Sequence, residues 1–140
     1  MTIENKRAKS FVTIMVVIAI CALLLRIAIE RLIKINIAQN DSNASSTLKS
    51  ISAALENYAK DNKGTYPTNL LSLTQTKPPY LDKEYVAQSS IKGYNFSCGR
   101  LEPSGYICTA APIKCKLTGK MIYTITTGSL LVSEDCNAKE

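Results

Sequence analysis

One stretch constrains this chain more than any other: Phe11–Leu25 (FVTIMVVIAICALLL) runs fifteen residues without a charge. A helix that is apolar on every side cannot face water. It lies in a large protein core or in lipid. The apolar character continues past Arg26 to Ile29, which approaches the ~20 residues a helix needs to cross a hydrocarbon core. Arg26, near one end, can run its aliphatic stem along the apolar layer and keep its charge at the interface. Lys6, Arg7 and Lys9 precede the run. The bias of Lys and Arg toward the cytoplasmic side then predicts a cytoplasmic N-terminus, with everything beyond about residue 35 outside. A cleaved secretory signal would end a shorter apolar core at a small-x-small site. Here the run leads instead into Arg26-Ile27-Ala28-Ile29-Glu30-Arg31-Leu32-Ile33, still helical in period. A retained single-pass anchor is expected.

The formal net charge of +6 raises the question of nucleic acid. Residues 1–37 carry six basic residues (Lys6, Arg7, Lys9, Arg26, Arg31, Lys34) against Glu4 and Glu30. Residues 38–140 carry eleven basic and nine acidic residues, nearly balanced. The excess flanks the apolar run, and no basic stripe suited to a phosphate backbone follows it. No nucleic-acid partner is expected. The chain has no His, which removes Ser-His-Asp and Cys-His catalysis and His-ligated metal sites. No nucleophile–base pair, phosphate loop or cofactor fingerprint is visible, so the expectation is a non-enzyme without a cofactor.

Beyond the anchor, Leu48, Ile51, Leu55 and Tyr58 recur at helical spacing, with Ala54 and Ala59 on the same side. This predicts an amphipathic continuation of one long helix, about residues 10 to 62. The polar Gln39–Ser46 segment (QNDSNASS) forms helix weakly and predicts a local loosening or kink. Lys63-Gly64 followed by Pro67 is a stop signal. Thr68–Thr74 suits one or two helical turns, and Lys77-Pro78-Pro79-Tyr80 must be an extended loop. From Gly93 the period changes to two. Tyr94, Phe96 and Cys98 form one strand, Gly99–Gly105 a loop, and Tyr106, Cys108 and Ala110 a second strand. Lys120–Thr126 and Ser129–Ser133 make two more around Thr127-Gly128. Tyr66, Tyr80, Tyr85 and Tyr94 are expected to cluster near the loops, packing there by default. The layout is α+β: a long N-terminal helix, transmembrane in its first half, packed on a small antiparallel sheet. The divisions expected are a leader-like segment at 1–10, a transmembrane helix at 11–35, its amphipathic continuation at 36–63 and a head at 64–140.

Cys21 lies within the apolar run. Cys98, Cys108, Cys115 and Cys136 all fall on the outer side, and four thiols in a small exported domain suggest two disulfides. Three pairings are open. Cys98 and Cys108 flank one short loop between neighbouring strands and are good cross-hairpin candidates, which leaves Cys115 with Cys136. A four-thiolate metal site lacks any C-x-x-C pair.

Met15-Val16-Val17-Ile18-Ala19-Ile20, followed by Ile27-Ala28-Ile29-Glu30-Arg31-Leu32, resembles the N-terminal helix of type IV pilins and type II secretion pseudopilins. Ala53–Tyr58 (AALENY), Asp61–Pro67 (DNKGTYP), Pro78–Leu81 (PPYL) and Gly119–Tyr123 (GKMIY) with Gly128 are similar to the major-pseudopilin type of this superfamily. The resemblance covers almost the whole chain. It implies a structural subunit of the bacterial inner membrane, cut by a prepilin peptidase before the apolar helix. Its partners would be other pilin-like subunits or an inner-membrane assembly platform.

In the register of Met15–Ile20 the family's cleavage-site glycine falls on Ala8 and the first mature residue on Lys9. A shift of two gives Ser10-Phe11. The glutamate that the family carries early in its apolar helix falls on Thr13. The resemblance assigns that carboxylate to pairing with a neighbouring subunit's N-terminal amine, an attraction favoured by low dielectric. The helix-kinking proline falls on Glu30, which keeps the hydrogen bond that proline loses. An uncleaved chain acting as an anchored binding or assembly partner is the alternative. Glu134 and Asp135 are similar in place to the Ca-binding loop of some major pseudopilins. Two carboxylates fall short of the 6–8 oxygens Ca takes, and a solvated tail is expected there.

Overall fold

The computed structural model describes residues 3–87 and 90–139, and their side chains from Ser10 to Asn137. Helix α1, Ile3–Asp61, runs 59 residues. It contains neither Gly nor Pro, so nothing in the backbone chemistry interrupts its hydrogen-bond ladder. Glu30, at the place of the expected kink-forming proline, lies inside the helix and pairs with Arg26 (Nε to Oε1 3.5 Å), both side chains being exposed. Internal contacts divide the chain between Ile35 and Asn36. In the first unit the apolar side chains from Phe11 to Ile35 are exposed. By length and composition this one helix is able to cross a membrane.

In the second unit α1 lays Ala44, Leu48, Ile51, Ala54 and Leu55 into a core shared with Leu70, Leu73 and Leu81 of the following loops and with the sheet. Leu48, Ile51 and Leu55 are fully buried, as their spacing predicts. The polar segment at 39–46 does not loosen: helix continues through it. Its polar side chains find distant partners, described below. The helix stops where Gly64, at φ +83°, donates its N–H to Ala59 O at 2.7 Å, the left-handed closure that glycine adopts without a Cβ penalty. A short helix α2, Leu71–Gln75, follows. Leu73 is fully buried there, and its carbonyl receives the N–H groups of Tyr80 and Leu81. Residues 77–80 form the expected loop, with a cis Lys77–Pro78 bond.

Four strands complete the unit: β1 (Tyr94–Glu102), β2 (Gly105–Pro112), β3 (Met121–Thr126) and β4 (Leu130–Asp135). They pair antiparallel in chain order, a meander as the alternating pattern predicts. Alternation turns Tyr94, Phe96, Tyr106, Cys108, Ala110 and Ile125 into the core. Two expectations are corrected. The segment 99–105 is not a loop: β1 runs to Glu102 and β2 begins at Gly105, leaving Pro103 and Ser104 as the turn. The register shifts between Cys98 and Arg100, so a bulge takes up Gly99 and pairing resumes. The second correction concerns Glu134 and Asp135. They are not a free tail but the end of β4, opposite Ile122 and Met121. A 3-10 turn, Cys136–Lys139, ends the described chain.

Candidate functional site

Three features bear on function: the exposed apolar helix, the polar side chains that clamp the second half of α1 to the sheet, and the corner closed by a disulfide near the C-terminus. Ser10, Phe11 and Thr13 all lie exposed on α1. Ala8 and Lys9 fall within α1, but their side chains lie outside the described residues. Cys21 is unpaired by disulfide and exposed.

The clamps were not foreseen as sites. At the start of the second unit, Asp41 Oδ1 accepts the Tyr94 hydroxyl and the Lys120 N–H (3.0 Å). Asn40 Nδ2 donates to Thr118 O at 2.9 Å. The same Tyr94 hydroxyl lies 2.7 Å from Met121 O, so its one proton is shared between that carbonyl and Asp41. Space is tight around this ring: a Cβ on Gly119 would lie 2.5 Å from Tyr94 Cε2 and Cζ. Only glycine fits against the phenol. Fifteen residues on, Glu56 accepts three donors. Tyr66 Oη reaches Oε2 at 2.9 Å, while Tyr106 Oη (2.9 Å) and Gly128 N (2.7 Å) reach Oε1. Ser52 Oγ lies 2.7 Å from both Tyr106 Oη and Ser129 Oγ. Because Tyr106 spends its proton on Glu56, Ser52 donates to Tyr106 and accepts from Ser129. The one cue in the sequence is Ser52 and Glu56, a polar pair four apart beside Ile51 and Leu55 on an otherwise apolar stripe.

These clamps tune the phenols. Burial, then the hydrogen bond to Glu56 and its negative charge, push Tyr66 up to about 12. Burial and then Asp41 raise Tyr94 further, and burial together with Glu56 raises Tyr106. The folded state thus holds these protons more tightly than the unfolded chain, whose phenols titrate near ~10. Below pH ~10 both states are neutral and the contribution is complete. It is lost as pH rises through the folded values, that of Tyr66 lying near 12. Absorbance at alkaline pH should show most of the seven tyrosines ionising late, together with loss of near-ultraviolet dichroism. Ordinary titration with the dichroism intact would contradict the clamps. The tyrosines do not form one cluster near the loops. They stand as separate pairs, Tyr58–Tyr80 (5.7 Å), Tyr66–Tyr106 (5.3 Å) and Tyr94–Tyr123 (6.4 Å), while Tyr85 bonds Asp82.

Cys98 and Cys108 face each other across β1 and β2 and are bonded, with Cα atoms 4.0 Å apart. Cys115 is bonded to Cys136, with Cα atoms 5.7 Å apart. Asp135 places a carboxylate oxygen within 4.8 Å of both of the latter sulfurs. With the sulfurs joined, neither is a thiolate, which is the form that binds metal. Glu134 and Asp135 are successive residues of a strand and point to opposite faces of the sheet. The two carboxylates named as Ca candidates therefore do not converge.

No protein-family model matches the chain, and no curated protein matches it. What the geometry itself establishes is an α+β architecture compatible with a pilin-like fold.

Proposed function

We propose that this chain is a membrane-anchored, pilin-like structural subunit of a type IV pilus or a type II secretion pseudopilus. It sits in the inner membrane by a single pass, with the N-terminus cytoplasmic and the head periplasmic or extracellular. Its partners are the bilayer and other pilin-like subunits or an assembly platform. It performs no catalysis and takes no nucleic acid. One observation carries the reading. A single Gly- and Pro-free helix supplies both an exposed, membrane-length apolar segment and the stripe that closes the core of a four-stranded antiparallel meander. The superfamily resemblance of the sequence agrees with it.

Thr13 favours a second form of the same reading, an anchor that stays in the membrane or a subunit at a filament tip. A subunit without a carboxylate there brings no charge to neutralise a neighbour's N-terminal amine. Mass spectrometry of the mature N-terminus separates the two forms: loss of residues 1–8 or 1–10 with a methylated amine marks a filament subunit, an intact start marks an anchor. In the processed form, Thr13→Glu should raise recovery of the chain in sheared filaments, since a buried ion pair gains only when both charges are present. Wild-type chain already abundant in those filaments, with no gain from Thr13→Glu, would remove the tip-or-anchor form. For topology, a reporter enzyme fused after Gly64 should be active only if it is a type that works outside the cytoplasm. Activity of a cytoplasm-only reporter at that point would overturn the orientation.

A further inference from the structure

The loop between β2 and β3, residues 113–120 (IKCKLTGK), presents an unusual surface. Ile113 and Leu117 are 46% and 57% exposed. Lys114, Lys116 and Lys120 stand exposed around them. Lys92, also exposed, joins the same corner, because its neighbour Gly93 accepts the Ile113 N–H at 3.0 Å. Four of the eleven basic residues beyond residue 37 thus meet at one loop. Among the described residues none of the four is in an ion pair. Among the described residues two carboxylates stand at the same corner: Asp41, which accepts the Tyr94 hydroxyl and the Lys120 N–H, and Asp135, beside the disulfide sulfurs, so four lysines outnumber two acids there.

The loop is not free to fold its apolar side chains away. Lys116 N donates to Gly119 O at 2.8 Å, and Thr118 N to Lys114 O at 2.9 Å. Lys114 N donates to Thr118 Oγ1 at 3.0 Å. The Cys115–Cys136 bond ties one side, and Asn40 and Asp41 hold Thr118 O and Lys120 N on the other. Two aliphatic side chains ringed by cations on a fixed turn match the composition of an interfacial membrane contact, apolar groups entering the headgroup layer and lysines at the phosphates.

We propose that this loop docks on an anionic bilayer, with Leu117 and Ile113 entering the headgroup region and the lysines holding its phosphates. The proposal rests on the membrane anchor of the preceding subsection. Two arguments select the bilayer as occupant. The first is charge: the corner is cationic in a head that is otherwise nearly balanced. The second is the tether. Asn40, which grips the loop, follows Ile35 by five residues, and five residues span at most about 18 Å even fully extended. The loop's holding point therefore cannot leave the neighbourhood of the membrane segment's end, whatever the arrangement of the two units.

The chain has no Trp, so Leu117→Trp in the full chain supplies a single indole reporter, and Ile113→Trp is a second if the first misfolds. In vesicles of equal phosphatidylglycerol and phosphatidylcholine the indole should emit at short wavelength and be quenched by brominated acyl chains. In phosphatidylcholine alone it should emit as in water. Each of Lys114→Gln, Lys116→Gln and Lys120→Gln in that background should lower the docked-to-free ratio about fivefold on anionic vesicles. A separate Ile20→Trp variant reports the anchor. An indole there that lipid does not quench overturns the anchor, and docking with it. A quenched Ile20→Trp indole beside an unquenched Leu117→Trp indole overturns docking alone. Emission that follows protein density without quenching by brominated lipid assigns the loop to a neighbouring protein and also overturns it.

Discussion

Reducing both disulfides should cost the head about 6 kcal/mol, the largest single effect expected for this protein. The bonds close loops with sequence separations of 10 and 21. Each removes conformational freedom from the unfolded chain, about 3 kcal/mol per loop of this length. A domain of this size has a total stability of only ~5–15 kcal/mol, so the reduced head stands near or below the limit of folding. The check is urea unfolding of the full chain in detergent, followed by the near-ultraviolet dichroism of its tyrosines, with and without reductant. Cys98→Ser with Cys108→Ser, and Cys115→Ser with Cys136→Ser, should each move the midpoint by about half the total. Equal midpoints for oxidised and reduced protein, or four thiols that alkylate without reductant, would contradict the result. Disulfides persist mainly in oxidising compartments, the setting that the proposed orientation gives the head.

Leu55→Ala should destabilise the head by ~2–5 kcal/mol, the range for truncating a buried leucine. Leu55 is fully buried and belongs to the core shared with Tyr106, Cys108 and Ile125. The cost combines lost transfer energy with the cavity left behind. Closing that cavity is difficult here, because Ser52 and Glu56 flank the site and hold the helix by hydrogen bonds to Tyr106, Ser129 and Gly128. The same unfolding assay reads it. A loss below about 0.5 kcal/mol, the range of surface substitutions, would place Leu55 outside the core.

The elements legible in the sequence were those with a local signature. Leu48, Ile51 and Leu55 announced their helix by spacing, and Tyr94 and Phe96 announced a strand by alternation. Strand adjacency made Cys98 and Cys108 candidates for one bond, while Cys115 with Cys136 was reached only as the remainder. What local pattern misjudged was decided at long range. Asn40 and Asp41 look like helix breakers among Gln39–Ser46, yet their partners Thr118, Lys120 and Tyr94 lie 53 to 79 residues away. Gly99 signals a loop, yet a bulge absorbs it and β1 continues. The acidic pair at 134–135 looked like solvated tail because nothing nearby shows that β3 will pair with it. The candidate site was legible to the extent that it is compositional: the apolar run, its flanking cations and Thr13. Glu56 was legible only as half of a polar pair with Ser52, and nothing in that pair marks the three donors arriving from Tyr66, Tyr106 and Gly128.

Asp41 and Glu56 grip the sheet about 22 Å apart along the helix, and each collects donors from different segments: Tyr94 and Lys120 at one, Tyr66, Tyr106 and Gly128 at the other. Mechanically this is a rivet at each end of a lap joint. Tension applied along the helix is shared between both rivets and the apolar seam between them. The helix cannot slide out by breaking one contact after another, as a strand peels from a hairpin. A head built this way resists axial pull as a unit and gives way more readily to a force that lifts one end of the helix off the sheet.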